Sequence, residues 1–173
     1  MIVGGGPAGL AAATYLGRFR RRVVVFDAGE SRAKLIAITR NCPGFPDGIS
    51  GPELLSRLRQ QALLSGAELR EEALQDIKRD GAEFIAAGPT SVRAGAVLLA
   101  TGVVDTLPDI PLATDMIRGG TMRLCPICDG YEIIDKRVAV IGPLKEAMRK
   151  ASFLRNLHPR PHRARDQRGV SDR

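Results

Sequence analysis

The sequence predicts an α/β fold built around a parallel sheet. Residues 23–26 and 96–100 are continuous apolar runs, which is the composition of strands buried on both faces of such a sheet. A glycine-rich loop at residues 4–9 separates a short apolar run from an Ala- and Leu-rich stretch. Residues 137–142 repeat the step from an apolar run into a glycine. We therefore expect two similar α/β units in series.

The predicted elements begin with a strand, a helix and a second strand. Residues 1–3 form a strand shorter than the roughly five residues usual in globular proteins, and residues 8–20 form an Ala-rich helix. The second strand, residues 23–26, ends at Asp27. This order opens a Rossmann-like fold, in which the glycine loop joins the first strand to the first helix.

A long loop and a small antiparallel meander follow. Residues 28–50 have no period, and long loops in compact domains are usually functional. A helix is predicted over 51–65, with a proline in its first turn. The pair Asp80-Gly81 predicts a type I′ hairpin turn, and we place a domain boundary near Pro111, where prolines break the chain. The remaining predicted elements are strands at 74–78, 83–87, 91–93, 96–100 and 137–141 and a helix at 145–157.

Composition excludes several classes of protein. No apolar run approaches the roughly 18 residues that span a bilayer, and no signal peptide is visible, so we expect a cytoplasmic protein without a membrane partner. The net charge is +7, but residues 158–173 contain five Arg and two Asp, so much of the excess is terminal and nucleic acid is not favoured. Three cysteines, two of them in a CxxC, fit a reducing compartment.

The glycine loop is the first candidate site. In its Gly-x-Gly-x-x-Gly spacing, Gly4 permits a tight turn, Gly6 lets the backbone approach a pyrophosphate and Gly9 allows close packing of helix on strand. The free N–H groups of the helix N-terminus favour the anion. Asp27 ends the next strand, where an acid bonds ribose hydroxyls. A dinucleotide site is predicted; a glycine-rich helix start without a ligand is the alternative.

The second candidate site is the hexapeptide CPICDG at residues 125–130. Thiols at Cys125 and Cys128 can close a small disulfide ring, and the thiolate of such a pair exchanges disulfides rapidly. Asp129 stands beside them, where a carboxyl group could move the proton that exchange requires. A nucleotide site and a dithiol in one chain suggest that electrons pass between them.

The cysteines raise two further questions, a zinc site and the role of the third cysteine. Zinc held by the CxxC with His158 and His162 is disfavoured, because 29 residues separate Cys128 from His158, more than the usual spacing. We therefore expect no metal site. Cys42 is solitary and is interpreted as a packing thiol.

Six short motifs stand in a fixed order along the chain. They are GGGPAGL at 4–10, NCPGFP at 41–46, GPEL at 51–54, LATG at 99–102, CPICDG at 125–130 and VAVIG at 138–142. In this order they resemble the low-molecular-weight thioredoxin reductase family of flavin disulfide reductases. The resemblance implies an FAD-binding domain over 1–111 and the start of an NAD(P)-binding domain with the CxxC over 112–157. It leaves 158–173 as a basic tail, which we expect to be disordered.

The resemblance also implies roles for individual residues. The residues expected to hold the FAD pyrophosphate and adenosine are Gly4, Gly6, Pro7, Ala8, Gly9 and Asp27. Asn41, Thr101 and Gly102 would lie near the rest of FAD, and Gly142 belongs to the second nucleotide motif. Cys128 would face the flavin, Cys125 would attack the partner disulfide and Asp129 would donate the proton.

The function implied by the resemblance is electron transfer from NADPH through FAD to the CxxC disulfide, and on to thioredoxin or a similar small disulfide substrate. Full-length relatives are expected to be homodimers. Leu144 stands where the family's second motif has a glycine, no basic motif for the NADP 2′-phosphate follows, and the segment that completes the FAD domain is absent. A frameshift or truncation would account for the last two departures.

The departures keep two alternatives open. A dithiol oxidase would use FAD and CxxC but pass electrons to oxygen, and the weak second nucleotide motif favours it. A non-catalytic truncated product or binding module is the other alternative. Whether the enzyme is a reductase or an oxidase, we expect the 173-residue chain alone to retain flavin poorly and not to turn over NADPH.

Overall fold

The computed structural model describes residues 1–157 of the chain. They form two compact units, Met1–Leu124 and the residues from Cys125 onward. The first unit contains a four-stranded parallel sheet and a three-stranded antiparallel sheet, which confirms the predicted α/β class. The domain boundary near Pro111 stays a prediction. The predicted basic tail and the two histidines of the zinc alternative lie outside the described residues.

Residues 1–157 contain seven strands of two to five residues and five helices of four to 14 residues. The strands are β1 (Ile2–Val3), β2 (Val24–Phe26), β3 (Glu68–Arg70), β4 (Asp76–Asp80), β5 (Glu83–Ala87), β6 (Val92–Ala94) and β7 (Leu98–Leu99). The helices are α1 (Pro7–Arg18), α2 (Gly51–Leu64), α3 (Ala113–Arg118), α4 (Pro126–Asp129) and α5 (Leu144–Arg155). None of these helices is long and apolar enough to cross a membrane.

The parallel sheet has the order β3-β2-β1-β7. Ile2 lies between Val25 on one side and Leu98 on the other, in parallel register. Parallel neighbours need a crossover connection, and α1 supplies it between β1 and β2. Ile2 and Val25 are completely buried because α1 and α2 cover this part of the sheet. The core that results contains Ile2, Leu10, Ala13, Val23, Val25, Ala33, Leu55, Ala62 and Ala67.

Helices α1 and α2 start and end at recognisable signals. Pro7 occupies the first turn of α1, where its missing N–H is harmless. Ser50 caps α2 by accepting a hydrogen bond from the Glu53 N–H at 3.3 Å. The end of α1 approaches the end of α2 so closely that a Cβ on Gly17 would stand 2.3 Å from the Ser65 carbonyl oxygen. The two helices therefore pack directly on each other.

The antiparallel sheet confirms the predicted hairpin but not its turn. The register pairs Asp80 with Glu83, so the two turn residues are Gly81 and Ala82. Gly81 has a φ of +61° and Ala82 has a negative φ, the pattern of a type II′ turn. The predicted type I′ turn at Asp80-Gly81 is therefore wrong by one position. The predicted third strand is present as β6.

The predicted strand at residues 137–141 is not formed. Within residues 125–157 the chain contains α4, α5 and a 3-10 turn at Tyr131–Ile133, and no strand. A β-strand needs a hydrogen-bonded neighbour, and none is present for this segment in the described part of its unit. Ile141 accordingly remains exposed. The structure also contains β3 and α3, which the sequence did not predict.

Leu55 and Leu64 provide a matched test of this core, because both lie on α2. Leu55 is 6% exposed and Leu64 is 82% exposed. We expect Leu55→Ala to lower the free energy of unfolding by about 2–5 kcal/mol, since it removes buried methyl groups and leaves a cavity. Leu64→Ala should change it by no more than about 0.5 kcal/mol. Urea denaturation of both variants measures the difference; equal losses would contradict this packing.

Candidate functional site

The predicted nucleotide site lies at the carboxyl edge of the parallel sheet. Strands β1, β2 and β7 run in the same direction, so the residues that follow them meet at one edge. The Gly4 N–H donates to the Phe26 carbonyl at 2.8 Å, and the Ala100 N–H donates to the Val3 carbonyl at 2.8 Å. Ligands of open α/β sheets bind at this edge.

Gly4 and Gly9 are required by packing. Gly4 has a φ of +107°, and a Cβ there would stand 2.2 Å from the Ala100 carbonyl oxygen. A Cβ on Gly9 would stand 1.9 Å from the Gly4 carbonyl oxygen. Any other residue at either position would push the loop away from α1 or β7. The roles predicted for these two glycines in a tight turn and in close packing agree with this geometry.

Gly6 has a different environment. The atom nearest to a Cβ at Gly6 would be Ser31 Oγ, at 3.4 Å. Gly6 is the N-cap of α1, and no side chain caps this helix end. Pro7 and Ala8, in the first turn, are exposed. The N-terminus of a twelve-residue helix is therefore open at the sheet edge, and its free N–H groups suit an anion such as a pyrophosphate.

Asp27 lies directly against the glycine loop. A Cβ on Gly5 would stand 2.4 Å from the Asp27 Cγ, so only glycine leaves room for this carboxylate. Oδ1 accepts a hydrogen bond from the Gly29 N–H at 3.1 Å, and Oδ2 accepts one from Arg59 Nη1 at 2.8 Å. Arg59 also donates to Glu71 at 2.7 Å. Sequence reasoning missed Arg59; the only signal was that a buried acid requires a partner.

The remaining residues predicted to lie near FAD are exposed. Thr101 and Gly102 follow β7 at the same edge, and Gly102 has a φ of +67°. Asn41 accepts a hydrogen bond from the Thr39 hydroxyl at 2.6 Å. Its loop is closed by backbone hydrogen bonds between Thr39 and Ile49. Thr101 and Gly102 thus share the sheet edge with the glycine loop, whereas Asn41 belongs to the loop between Thr39 and Ile49.

The loop that contains Asn41 also contains Cys42, a half-buried free thiol. Residues 40–46 line a shallow hollow of about 340 Å³ around it. Arg57, on α2, lies 5.4 Å from the ring centroid of Phe45 and holds one side of this loop. The interpretation of Cys42 as a packing thiol stays a prediction.

The predicted dithiol is present as a Cys125–Cys128 disulfide, with a Cα–Cα separation of 5.3 Å. Cys125 is the N-cap of α4, and its Sγ accepts a hydrogen bond from the Cys128 N–H at 3.1 Å. The Asp129 N–H donates to the Cys125 carbonyl at 3.1 Å. Cys128 is exposed, whereas Cys125 and Asp129 are half-buried. The prediction that the two thiols pair is confirmed; their individual roles stay predictions.

The second nucleotide motif, around Gly142, has fewer features that suit a nucleotide than the glycine loop has. Gly142 has a φ of +154° and nothing within 4 Å of the position a Cβ would take. Leu144 is the first residue of α5, and its side chain is exposed at the helix N-terminus. A bulky side chain at this position occupies space that a phosphate would need. The cofactor role of Gly142 stays a prediction.

Other electrostatic features lie outside these sites. A hydrogen bond from Lys78 lowers the pKa of the Asp76 carboxyl, on β4. Burial lowers the pKa of the Met1 amino group, which donates to the Ala96 carbonyl at 2.7 Å. Within residues 1–157, no group of three or more His, Cys, Asp or Glu side chains is arranged to hold a metal ion.

Comparisons with known proteins agree with this architecture. The family described as pyridine nucleotide-disulphide oxidoreductase matches residues 1–157. A thioredoxin reductase of Mycolicibacterium smegmatis is 34% identical over 157 residues, covering 89% of this chain and 50% of the relative. A bifunctional thioredoxin reductase/thioredoxin of Mycobacterium leprae is 36% identical over 158 residues, covering 89% and 34%. The crystal structure of thioredoxin reductase from Streptococcus pyogenes gives a TM-score of 0.81 at 28% identity, covering 90% and 51%. The chain thus spans about half the length of most such relatives.

Gly9 and Gly6 provide a test of the glycine loop. We expect Gly9→Ala to lower the free energy of unfolding by about 1–3 kcal/mol or more, because its Cβ collides with backbone that cannot move aside. Gly6→Ala should cost no more than about 1 kcal/mol, the scale of an altered N-cap. Urea denaturation compares them. A Gly9→Ala protein as stable as the parent would show that the loop is not packed as described.

Proposed function

The chain belongs to the pyridine nucleotide-disulphide oxidoreductase family, and from this premise we propose that it acts in a thioredoxin-reductase-like enzyme. In the proposed reaction, electrons pass from NADPH through FAD to the Cys125–Cys128 disulfide and on to thioredoxin or a similar small disulfide substrate. The observation that carries the proposal is that an open glycine cradle at a sheet edge and an accessible disulfide occur in one chain. Relatives named thioredoxin reductase, matched along 89% of the chain, support it.

The residues at the sheet edge fit FAD. Gly4 and Gly9 shape the loop, Gly6 leaves the N-terminus of α1 open for the pyrophosphate, and Asp27 offers acceptors to ribose hydroxyls. Pro7 and Ala8, at the same helix end, and Thr101 and Gly102, after β7, would border the cofactor. Asn41 would approach it from the neighbouring loop. When bound, FAD supplies two-electron transfer between a nicotinamide and a disulfide.

The dithiol carries the exchange with the substrate. The reduced Cys125 thiolate attacks one sulfur of the substrate disulfide and forms a mixed disulfide, and the other substrate sulfur leaves as a thiolate that Asp129 protonates. Cys128 then attacks Cys125, which releases the substrate as a dithiol and restores the Cys125–Cys128 disulfide. The hydrogen bond from the Cys128 N–H to the Cys125 sulfur supports Cys125 as the thiolate that reacts first.

The remaining parts of the proposal have less local support. NADPH would bind at the motif that contains Gly142. The Leu144 side chain, at the N-terminus of α5, takes up part of the space that an NADPH phosphate would need there. A cytoplasmic location is proposed because a reducing compartment suits a dithiol that must stay exchangeable. The homodimer stays a prediction for full-length relatives. Oxygen as the electron acceptor, or a non-catalytic role, is not favoured, since the matched relatives are named reductases.

Titration with FAD tests the cradle. We expect added FAD to bind the chain with a measurable Kd, read by quenching of flavin fluorescence, even where little flavin survives purification. Gly6→Ala should raise that Kd by at least about tenfold, because a methyl group blocks approach of the pyrophosphate to the backbone. Urea denaturation of the same variant checks that it remains folded. A parent chain that binds no FAD would contradict the cofactor assignment.

Trapping of mixed disulfides tests the dithiol. The chain, reduced and freed of reductant, is mixed with oxidised thioredoxin and analysed by mass spectrometry. Cys128→Ser should accumulate a mixed disulfide through Cys125, because the resolving thiol is missing. Cys125→Ser should accumulate much less, and Cys42→Ser should behave like the parent. Trapping through Cys128 instead would reverse the assigned roles, and no exchange by the parent would exclude thioredoxin as substrate.

A further inference from the structure

Arg59, on α2, bridges two acidic side chains at the carboxyl edge of the parallel sheet. Its Nη1 donates to Asp27 Oδ2 at 2.8 Å, and its Nη2 donates to Glu71 Oε1 at 2.7 Å. The Asp27 side chain is 11% exposed and that of Arg59 is 29% exposed. A guanidinium is a rigid planar fork, so two carboxylates on different nitrogens fix its orientation. Glu71 thereby anchors the group that contacts Asp27.

The Asp27 carboxylate is held from two sides and keeps two acceptor positions. Oδ1 accepts from the Gly29 N–H, and Oδ2 accepts from Arg59. A carboxylate has about four lone-pair positions, so each oxygen keeps roughly one after these contacts. Two acceptors on one carboxylate match the two neighbouring hydroxyls of a ribose. The number and placement of the free positions therefore depend on the contact with Arg59.

The carboxylate also packs against the glycine loop. It lies against Gly5, where a Cβ would stand 2.4 Å from both Asp27 Cγ and Oδ2. Loss of Arg59 would remove the donor that fixes Oδ2 and leave a nearly buried charge without its cationic partner. The carboxylate would then turn toward other donors, and its acceptors would no longer face a ligand as a pair.

We infer that Arg59 is a positioning residue that, anchored by Glu71, orients Asp27 to bind the two ribose hydroxyls of the FAD adenosine. The inference rests on the proposed function. Arg59 acts only through Asp27 and does not itself touch the cofactor. Removal of Arg59 should therefore weaken FAD binding only while the Asp27 carboxylate is present.

A double-mutant cycle on the full chain tests the inference by FAD titration. Arg59→Met should raise the Kd for FAD by about 10- to 100-fold, the range for hydrogen bonds to a charged group. Asp27→Asn should raise it similarly. The double variant should bind no more weakly than Asp27→Asn alone, because Arg59 then has no carboxylate to orient. Multiplication of the two effects would overturn the inference, as would unchanged binding by Arg59→Met.

Two further variants separate positioning from structure. Arg93 also bridges two carboxylates, Asp80 and Glu83, but on the antiparallel sheet. Arg93→Met should leave the Kd for FAD within about twofold of the parent, since solvent-exposed ion pairs contribute little to stability. An effect as large as that of Arg59→Met would overturn the inference.

Glu71→Gln provides the test if Arg59→Met fails to fold, because the Glu71 side chain is mostly exposed. It should weaken FAD binding in the parent and not in the Asp27→Asn background. Equal weakening in both backgrounds, or none in either, would overturn the inference. A parent chain without FAD binding would instead contradict the proposed function, so the two failures are distinguishable.

Discussion

The structure depends on one packing constraint, the absence of a Cβ at the turn between β1 and α1. A Cβ on Gly9 would collide with the Gly4 carbonyl, and a Cβ on Gly4 would collide with the Ala100 carbonyl, so only glycine fits at either position. These contacts hold α1, β1 and β7 together, and they bring Thr101 to the edge where α1 begins. The close packing at Gly4 and Gly9 therefore sets the position of the helix N-terminus that Gly6 leaves open. A substitution that loosens the packing would also displace the groups that suit a phosphate.

Charge divides this edge into two parts. The N-terminus of α1 carries free N–H groups and favours an anion. Asp27, Arg59 and Glu71 together carry two negative charges and one positive charge, so this end retains a net negative charge and favours hydroxyl donors. A partly buried ion pair is weak evidence for stability, because desolvation offsets much of its attraction. The arrangement is better explained by a ligand with phosphates at one end and a diol at the other.

Local sequence patterns predicted the elements whose signals are local. The helices α1 and α2 and the glycine loop were predicted because caps, prolines and periodic apolar residues lie within each segment. Strand β3 was missed because it is an edge strand with charged residues at both ends. Residues 137–141 have the composition of a buried strand, but no neighbouring strand is present within residues 125–157 to form hydrogen bonds with them. The hairpin turn lies at Gly81-Ala82, one position after the predicted pair, because the five paired positions of β4 and β5 fix the register.

The same distinction separates the two candidate sites. The partner of Asp27 lies 32 residues away on a different element, so no local pattern could have identified Arg59. The Cys125–Cys128 disulfide joins residues at a sequence separation of 3, and this spacing alone predicted it. The cradle therefore exists only when β1, β2, β7 and α2 are folded, whereas the disulfide needs only its own short segment. Disulfide exchange by itself would not demonstrate a native enzyme. The proposed FAD binding would depend on the packed sheet edge and is the stricter measure of the folded site.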